Sequence, residues 1–249
     1  MNAAVVVALI AALGSLAVTL VKAAIDARAK KRERLLVEQA ELRRYRKMLL
    51  SAVDDLGNRI NNIRNQDFLL YLNAVDRRDL ALSSTLFRFG QYFGWTDIYR
   101  EYLRLNPARD TNMVSGTLIQ ITIVFASDEI DQGESFDELM LWREEQDAIG
   151  HLMRQEGEVP ACVSFDTFID KYETRYFRWF QKFADHLESV FAHGKDSVRL
   201  AKVHQLLAKL IVELDDEKTF VEFGDHGEIL RPNWARRSQY SLSDSGRPY

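Results

Sequence analysis

The sequence predicts an all-α protein: an N-terminal transmembrane helix that continues into a stalk, followed by an irregular helical-bundle domain. Apolar residues recur at the helical spacings of three and four along most of the chain. Four Pro and twelve Gly in 249 residues are too few for a turn-rich β fold. The first 21 residues carry no charged side chain, whereas residues 22–47 carry ten Lys and Arg. These patterns predict an anchor over residues 1–22, a basic juxtamembrane helix or stalk over 23–49, an all-helical cytoplasmic domain over 50–230 and a disordered tail over 231–249.

The first segment is apolar or small from Ala3 to Val21, and a helix of that length spans about 30 Å, the thickness of a bilayer core. A cleaved signal peptide is the alternative. Such peptides begin with a positive region and end at a small-x-small site. Here no basic side chain precedes the apolar run, and Ala27-Arg28-Ala29 is a poor cleavage site, so we expect a retained anchor.

Basic residues flank this segment only on its C-terminal side. By the positive-inside rule they keep the rest of the chain in the cytoplasm, with Met1 outside. Their charge suits the anionic lipids of an inner leaflet. The residues predicted to contact lipid headgroups are Lys22, Arg28, Lys30, Lys31, Arg32 and Arg34.

Small residues line one side of the predicted anchor at Ala4, Ala8, Ala11 and Ser15. Small residues let helix backbones approach closely in lipid, so this stripe favours self-association into a homo-oligomer. An Ala-rich helix without a partner is the alternative interpretation.

A second periodic pattern places an apolar residue at every seventh position, which is typical of a helix that presses one seam on a partner. Glu38, Arg59 and Gln66 occupy the intervening d positions, so a clean two-stranded zipper is not expected. We expect the distal half of the seam to pack on the protein's own helical domain. The seam residues are Leu35, Leu42, Leu49, Leu56, Ile63 and Leu70.

The aromatic residues are concentrated in two windows, with seven of the 27 in residues 87–102 and nine in residues 165–191. We expect these windows to face each other in the core, because each ring buries about 150–250 Å². A groove for a partner helix or a lipid is the alternative, and Phe177 and Phe180, off the main apolar stripe, are its candidate surface. Gly94 and Thr96 predict a helix stop and a new N-cap, and residues 112–127 favour a helix over a strand.

The net charge of −4 hides a strong separation: residues 22–47 carry +6, residues 231–249 carry +3, and residues 48–230 carry −13. An acidic body is poorly suited to neutralising phosphates, which argues against nucleic acid as a partner.

Motifs for catalysis or cofactor binding are not evident, and we predict no catalytic, cofactor-binding or metal-binding residue. No His follows an acidic residue by three positions, as a di-iron bundle would need. A single cysteine, Cys162, excludes a thiolate zinc site and an intrachain disulfide. Asp185, His186 and His193 are the remaining candidates for a site assembled with an acidic residue from elsewhere, although we favour an ordinary solvated helix face as their explanation.

The segments STLFRFGQYFGW (84–95) and LMLWREEQDAIGHLM (139–153), with the aromatic helix after Ser164, resemble a group of bacterial proteins that are short, singly membrane-anchored, all-helical and of unknown function. The resemblance implies a place in the bacterial inner membrane. It carries no activity or catalytic residue with it.

These observations together favour a non-enzymatic adaptor or scaffold. It would present a helical interaction surface at the cytoplasmic face of a membrane, as a homo-oligomer that binds an unidentified protein. The alternative is a membrane-linked effector or enzyme, related to defence or stress, whose site is assembled from distant residues.

Overall fold

A computed structural model describes residues 3–106, 112–128, 139–193, 197–215, 217–223 and 229–232. Within these ranges, the side chains of residues 3–20, 24, 112, 191–193, 221–223 and 229–232 lie outside what is described. The chain divides into two compact units, Met1–Arg44 and Tyr45–Tyr249. The described residues are mostly helical, which confirms the predicted all-α class.

Seven α-helices and two short hairpins are described. The helices are α1 (Ala3–Asn65), α2 (Arg78–Leu105), α3 (Asn112–Ala126), α4 (Arg143–Leu152), α5 (Phe165–Asp170), α6 (Phe177–His193) and α7 (Val198–Leu214). A 3₁₀ helix (Phe68–Asn73) precedes α2, and a π-helical turn (Tyr172–Tyr176) separates α5 from α6. The antiparallel hairpins pair β1 (Arg154–Gln155) with β2 (Ala161–Cys162) and β3 (Val221–Phe223) with β4 (Ile229–Pro232).

The first unit contains the start of α1. All six residues predicted to contact lipid headgroups are exposed on this helix. The side chains of Ala4, Ala8, Ala11 and Ser15, the predicted packing stripe, lie outside the described residues. Within the residues whose side chains are described, no helix is both long enough and apolar enough to cross a membrane.

The second unit is built around α2, which packs on α4, α5 and α6, while α3 packs on α7. Residues 112–126 form a helix, as predicted. The two aromatic windows also meet, as predicted: the ring centroids of Phe89 and Phe183 are 4.5 Å apart, and those of Phe87 and Phe168 are 5.5 Å apart. The first pair is edge-on and the second is tilted, and edge-on pairs add to the free energy gained by burying the rings.

The seam prediction is correct for part of its length. Leu49, Leu56 and Ile63 are buried in the second unit, so the distal seam packs on the protein's own domain. Leu70 is a correction, because α1 ends at Asn65 and Leu70 lies in the 3₁₀ helix with 59% of its surface exposed. Leu35 is exposed and Leu42 is half-buried in the first unit, where a partner for the seam stays a prediction.

Gly94 does not end a helix, and Thr96 does not begin one, because α2 continues through both residues. Gly94 instead allows close packing: a Cβ atom there would lie 2.7 Å from Sγ of Cys162 and 3.0 Å from Cβ of Met153. Gly150 on α4 faces the carbonyl oxygen of Phe93, which a Cβ atom would approach to 2.9 Å. The two glycines therefore let α2 and α4 pack more closely than side chains would allow.

Phe180 is the second correction, because it is 1% exposed and belongs to the core rather than to a partner surface. The π-helical turn before α6 accommodates an additional residue, which rotates the following helix. The buried stripe therefore includes Phe180, and Trp179 is only half-buried. Phe177 remains exposed, at 38%.

The end of the chain forms the second hairpin as far as it is described. The strands β3 and β4 lie in a part of the chain where the sequence predicted only helices, up to residue 230, and the tail after it. Arg231 and Pro232, which the sequence assigned to the tail, belong to β4. Residues 233–249, where disorder was predicted, lie outside the described residues.

Candidate functional site

An open groove of about 410 Å³ lies in the second unit where α1, the 3₁₀ helix and α2 meet. Asp67 has a positive φ of 51° and reverses the chain after α1, a conformation that Asp tolerates better than most residues. This reversal brings the 3₁₀ helix beside the first turns of α2. The groove is lined by Arg59, Phe68, Tyr71, Arg77, Leu80, Ala81 and Ser84.

Arg59 is the most unusual residue of this groove, because its long charged side chain is only 9% exposed. Its guanidinium carbon lies 3.9 Å from the ring centroid of Phe68, a cation–π arrangement. Its Nη2 donates a hydrogen bond of 3.3 Å to Oγ of Ser84. Its Nη1 is buried and has no hydrogen-bond partner among the described residues.

The electrostatic environment disfavours the charge on Arg59. Desolvation by burial, followed by the positive charge of Arg88, lowers the pKa of Arg59 to about 10. Asp55 acts in the opposite direction, but its carboxylate is held by Arg88 at 2.9 Å. Arg59 therefore remains charged at neutral pH while the carboxylate that acts on it forms an ion pair with another residue.

Apolar side chains are exposed along the mouth of the groove. Tyr71 is 54% exposed and Leu80 is 49% exposed, and both line it. Leu70 and Val75, from the same segment between α1 and α2, are exposed at 59% and 99%. Clustered apolar exposure of this kind marks interaction surfaces more often than isolated exposed side chains do.

A second polar cluster joins α2 to the first hairpin. Nη1 of Arg154 contacts the carboxylates of Asp97 at 3.2 Å and Glu101 at 2.5 Å. Desolvation opposes the charge on Arg154, but the hydrogen bonds and charges of Glu101 and Asp97 outweigh it and raise its pKa. A cavity of about 10 Å³ beside Asp97, also lined by Tyr92, has room for one water molecule. This cluster connects α2 to β1, and its cation contacts two carboxylates.

Cys162 is a poor nucleophile in this environment. Burial raises the pKa of its thiol to about 12, with the positive charge of Arg154 acting weakly against that shift. A protonated thiol reacts slowly, so Cys162 serves as a small packing residue against Gly94 at neutral pH.

Of the candidate residues of the alternative enzyme hypothesis, the structure shows one, His186, engaged in the fold. Nδ1 of His186 accepts a hydrogen bond of 3.0 Å from the backbone N–H of Leu139, and Asp185 is exposed. Glu188 forms an ion pair of 2.7 Å with Arg78. The side chain of His193 lies outside the described residues. Among the described side chains, no group of three or more His, Cys, Asp or Glu is close enough to hold a metal ion.

The sequence did not predict the groove, although one signal was present. Arg59 occupies a d position of the seven-residue repeat, where an apolar residue is expected. A charge between the buried seam residues Leu56 and Ile63 requires either a partner or a function. The side chains that contact Arg59, those of Phe68 and Ser84, belong to two other segments of the chain. No pattern within either segment predicts that it lies close to Arg59.

Comparison with known proteins gives no match: the chain matches no protein-family model, no curated protein and no solved structure at a significant level. The resemblance to membrane-anchored bacterial proteins therefore stays an expectation drawn from the quoted segments.

Proposed function

We propose that this chain is a membrane-tethered helical adaptor that binds a partner protein in the groove beside Arg59. The observation that carries the proposal is the groove itself, where an incompletely hydrogen-bonded buried guanidinium lies beneath exposed apolar side chains. Arg and Tyr at the centre of a partly apolar surface are the residue types that dominate binding energy at protein interfaces. A groove of about 410 Å³ accommodates a few side chains of a partner.

The proposed tether is supported by the sequence. Residues 1–21 contain no charged side chain, and the first basic residue is Lys22. A helix over Ala3–Val21 is long enough for a bilayer core, and the exposed basic residues that follow it suit an anionic inner leaflet. The adaptor would then lie on the cytoplasmic face of a bacterial inner membrane, with its N-terminus outside.

Self-association is part of the same proposal. The small residues Ala4, Ala8, Ala11 and Ser15 offer one face for helix packing in lipid. Leu35 and Leu42 continue an apolar seam beyond the bilayer. A homo-oligomer would present several copies of the groove at one place, which raises the apparent affinity for a multivalent partner.

The tether is tested by fractionating cells that produce the full chain and a matched chain beginning at Lys22. We expect the full chain to stay with the membranes after alkaline carbonate extraction and the shorter chain to be released. A reporter fused after Tyr249 should resist labelling from outside the cell. Release of the full chain by carbonate, or outside labelling of the reporter, would contradict the tether or its orientation.

A further inference from the structure

We propose that the groove recognises a carboxylate side chain of the partner, flanked by apolar residues, and that Arg59 makes the recognising contact. This inference rests on the proposed function, because it names the chemistry of the partner segment that the adaptor binds. It assigns to Arg59 a binding role rather than a structural one.

Among the described residues, no anion contacts Arg59 directly, because Asp55, which acts on it electrostatically, forms its ion pair with Arg88. Charged side chains are seldom buried unless they are paired, because removing them from water is costly. The ring of Phe68 and the hydroxyl of Ser84 compensate for part of that cost, but Nη1 is left without an acceptor. A carboxylate at this guanidinium would provide the missing acceptor and a compensating charge.

The charge balance favours a carboxylate over a phosphate. Among the described arginines near the groove, Arg88 is paired with Asp55, and Arg77 lies 3.7 Å from Asp76. Arg59 therefore offers one positive charge and an unused N–H donor at Nη1. An anion with a single negative charge would balance that charge and accept that hydrogen bond. Phosphate recognition uses clusters of arginine, and the body of the protein carries a net charge of −13 that would repel a polyanion.

The surroundings favour a peptide segment with apolar neighbours on both sides of the acid. The groove is open, so an extended or helical segment can lie across it without entering a closed cavity. Tyr71 and Leu80 expose about half of their surface at its mouth, ready to cover apolar side chains. Contacts of this kind exclude water from the central ion pair and strengthen it.

The experiment selects binders from a library of random displayed peptides on the full chain, immobilised in a neutral detergent. We expect enrichment of sequences in which Asp or Glu lies beside apolar residues. An enriched peptide is then synthesised with its acid and with the matching amide, Glu→Gln or Asp→Asn. The affinities of both forms are measured by fluorescence anisotropy for wild type and for Arg59→Gln.

We expect wild type to bind the acid form roughly tenfold or more tightly than the amide form, the ratio typical of a charge-assisted hydrogen bond. Arg59→Gln should bind both forms alike, whereas Arg104→Gln, which removes an exposed arginine elsewhere on α2, should keep the full ratio. Tyr71→Ala should weaken both forms and leave their ratio unchanged. Circular dichroism and urea unfolding confirm that each variant is folded.

The results separate failure of this inference from failure of the proposed function. The peptides could bind in a way that depends on Tyr71 but with equal affinity for the acid and amide forms. That result would overturn the carboxylate assignment but would still support the groove as a protein-binding site. A tenfold ratio that persists in Arg59→Gln would also overturn it. Selection of no peptide sensitive to either Tyr71→Ala or Arg59→Gln would overturn the groove as a binding site altogether.

Discussion

Replacing Arg199 with Met removes a buried cation that completes the end of α3. Arg199 is only 1% exposed, and its Nη1 donates to the carbonyl oxygens of Val124 and Phe125, the latter at 3.0 Å. Its Nη2 donates to the carbonyl oxygen of Ser127 at 2.9 Å. The last carbonyls of a helix have no partner within the helix, and the positive charge also complements the helix dipole.

The expected loss of stability is about 3–5 kcal/mol. Hydrogen bonds from a charged donor contribute about 1.5–3 kcal/mol each. A buried carbonyl left without a donor adds a comparable penalty, which the carbonyl of Phe125 avoids because it also accepts from the backbone N–H of Leu141 at 2.9 Å. The desolvation cost of the guanidinium, which Met does not incur, offsets part of that sum and leaves a net loss of about 3–5 kcal/mol. Arg199→Lys should lose less stability than Arg199→Met, because Lys keeps the positive charge. It should still lose some, because Lys lacks the planar guanidinium that reaches several carbonyls.

Urea unfolding of the full chain in neutral detergent, followed by circular dichroism, measures this effect. The matched control is Arg104→Met, which removes an exposed arginine from α2 and should change stability by less than about 0.5 kcal/mol. For a unit of this size, the loss for Arg199→Met corresponds to a fall in Tm of roughly 10 °C. A loss below about 1 kcal/mol would refute the assignment of Arg199 as the cap of α3.

Further predictions concern packing and the thiol. Gly94→Ala should lose about 1–2 kcal/mol through the clash with the hairpin, whereas Gly116→Ala, with nothing within 4 Å of its new Cβ atom, should gain about 0.5–1 kcal/mol, both by urea unfolding. Phe180→Ala should lower the free energy of unfolding by about 3–5 kcal/mol because Phe180 is buried, whereas Phe177→Ala, at an exposed ring, should lower it by less than about 1 kcal/mol. Similar losses for the two variants would contradict this difference in burial. Iodoacetamide should label Cys162 at pH 8 roughly a thousandfold more slowly than the unfolded chain, because burial raises its pKa from 9.0 to about 12. The neutral thiol stabilises the fold below pH 9, and that stability is lost as the pH rises from 9 towards 12; rapid labelling of the folded chain at pH 8 would contradict this.

Local patterns predicted the helical elements well because their cause is local. The repeat of Leu49, Leu56 and Ile63 lies on one face of a helix whatever the helix packs against, and all three are buried. The aromatic windows were expected to meet, and rings such as Phe89 and Phe183 are in contact. For the seam, the spacing of residues within one element was enough, and for the aromatic windows, the concentration of rings in two segments was enough.

The errors arose where distant elements decide the outcome. Gly94 is a helix breaker by propensity, but in α2 the closeness of Cys162 and Met153 makes it the residue that fits. The π-helical turn moved Phe180 into the core, and a helical period of 3.6 residues does not include such a turn.

The groove escaped sequence analysis because its parts come from three segments. Arg59 is in α1, Phe68 follows a chain reversal at Asp67, and Ser84 lies in α2. Only their three-dimensional arrangement reveals a buried guanidinium that no carboxylate of the described residues contacts directly. The misplaced charge at Arg59 in an apolar seam was the one trace of this arrangement in the sequence.

The measurement that tests the adaptor most directly is site-specific photo-crosslinking in the native host, with the photoreactive residue at Tyr71 in the groove or, as a control, at the exposed Val212 on α7. We predict one discrete crosslinked protein in the membrane fraction from Tyr71. It should be absent from Val212 and be lost when Arg59→Gln is added. Equal crosslinking from the two positions, or a Tyr71 product that Arg59→Gln leaves unchanged, would contradict the account.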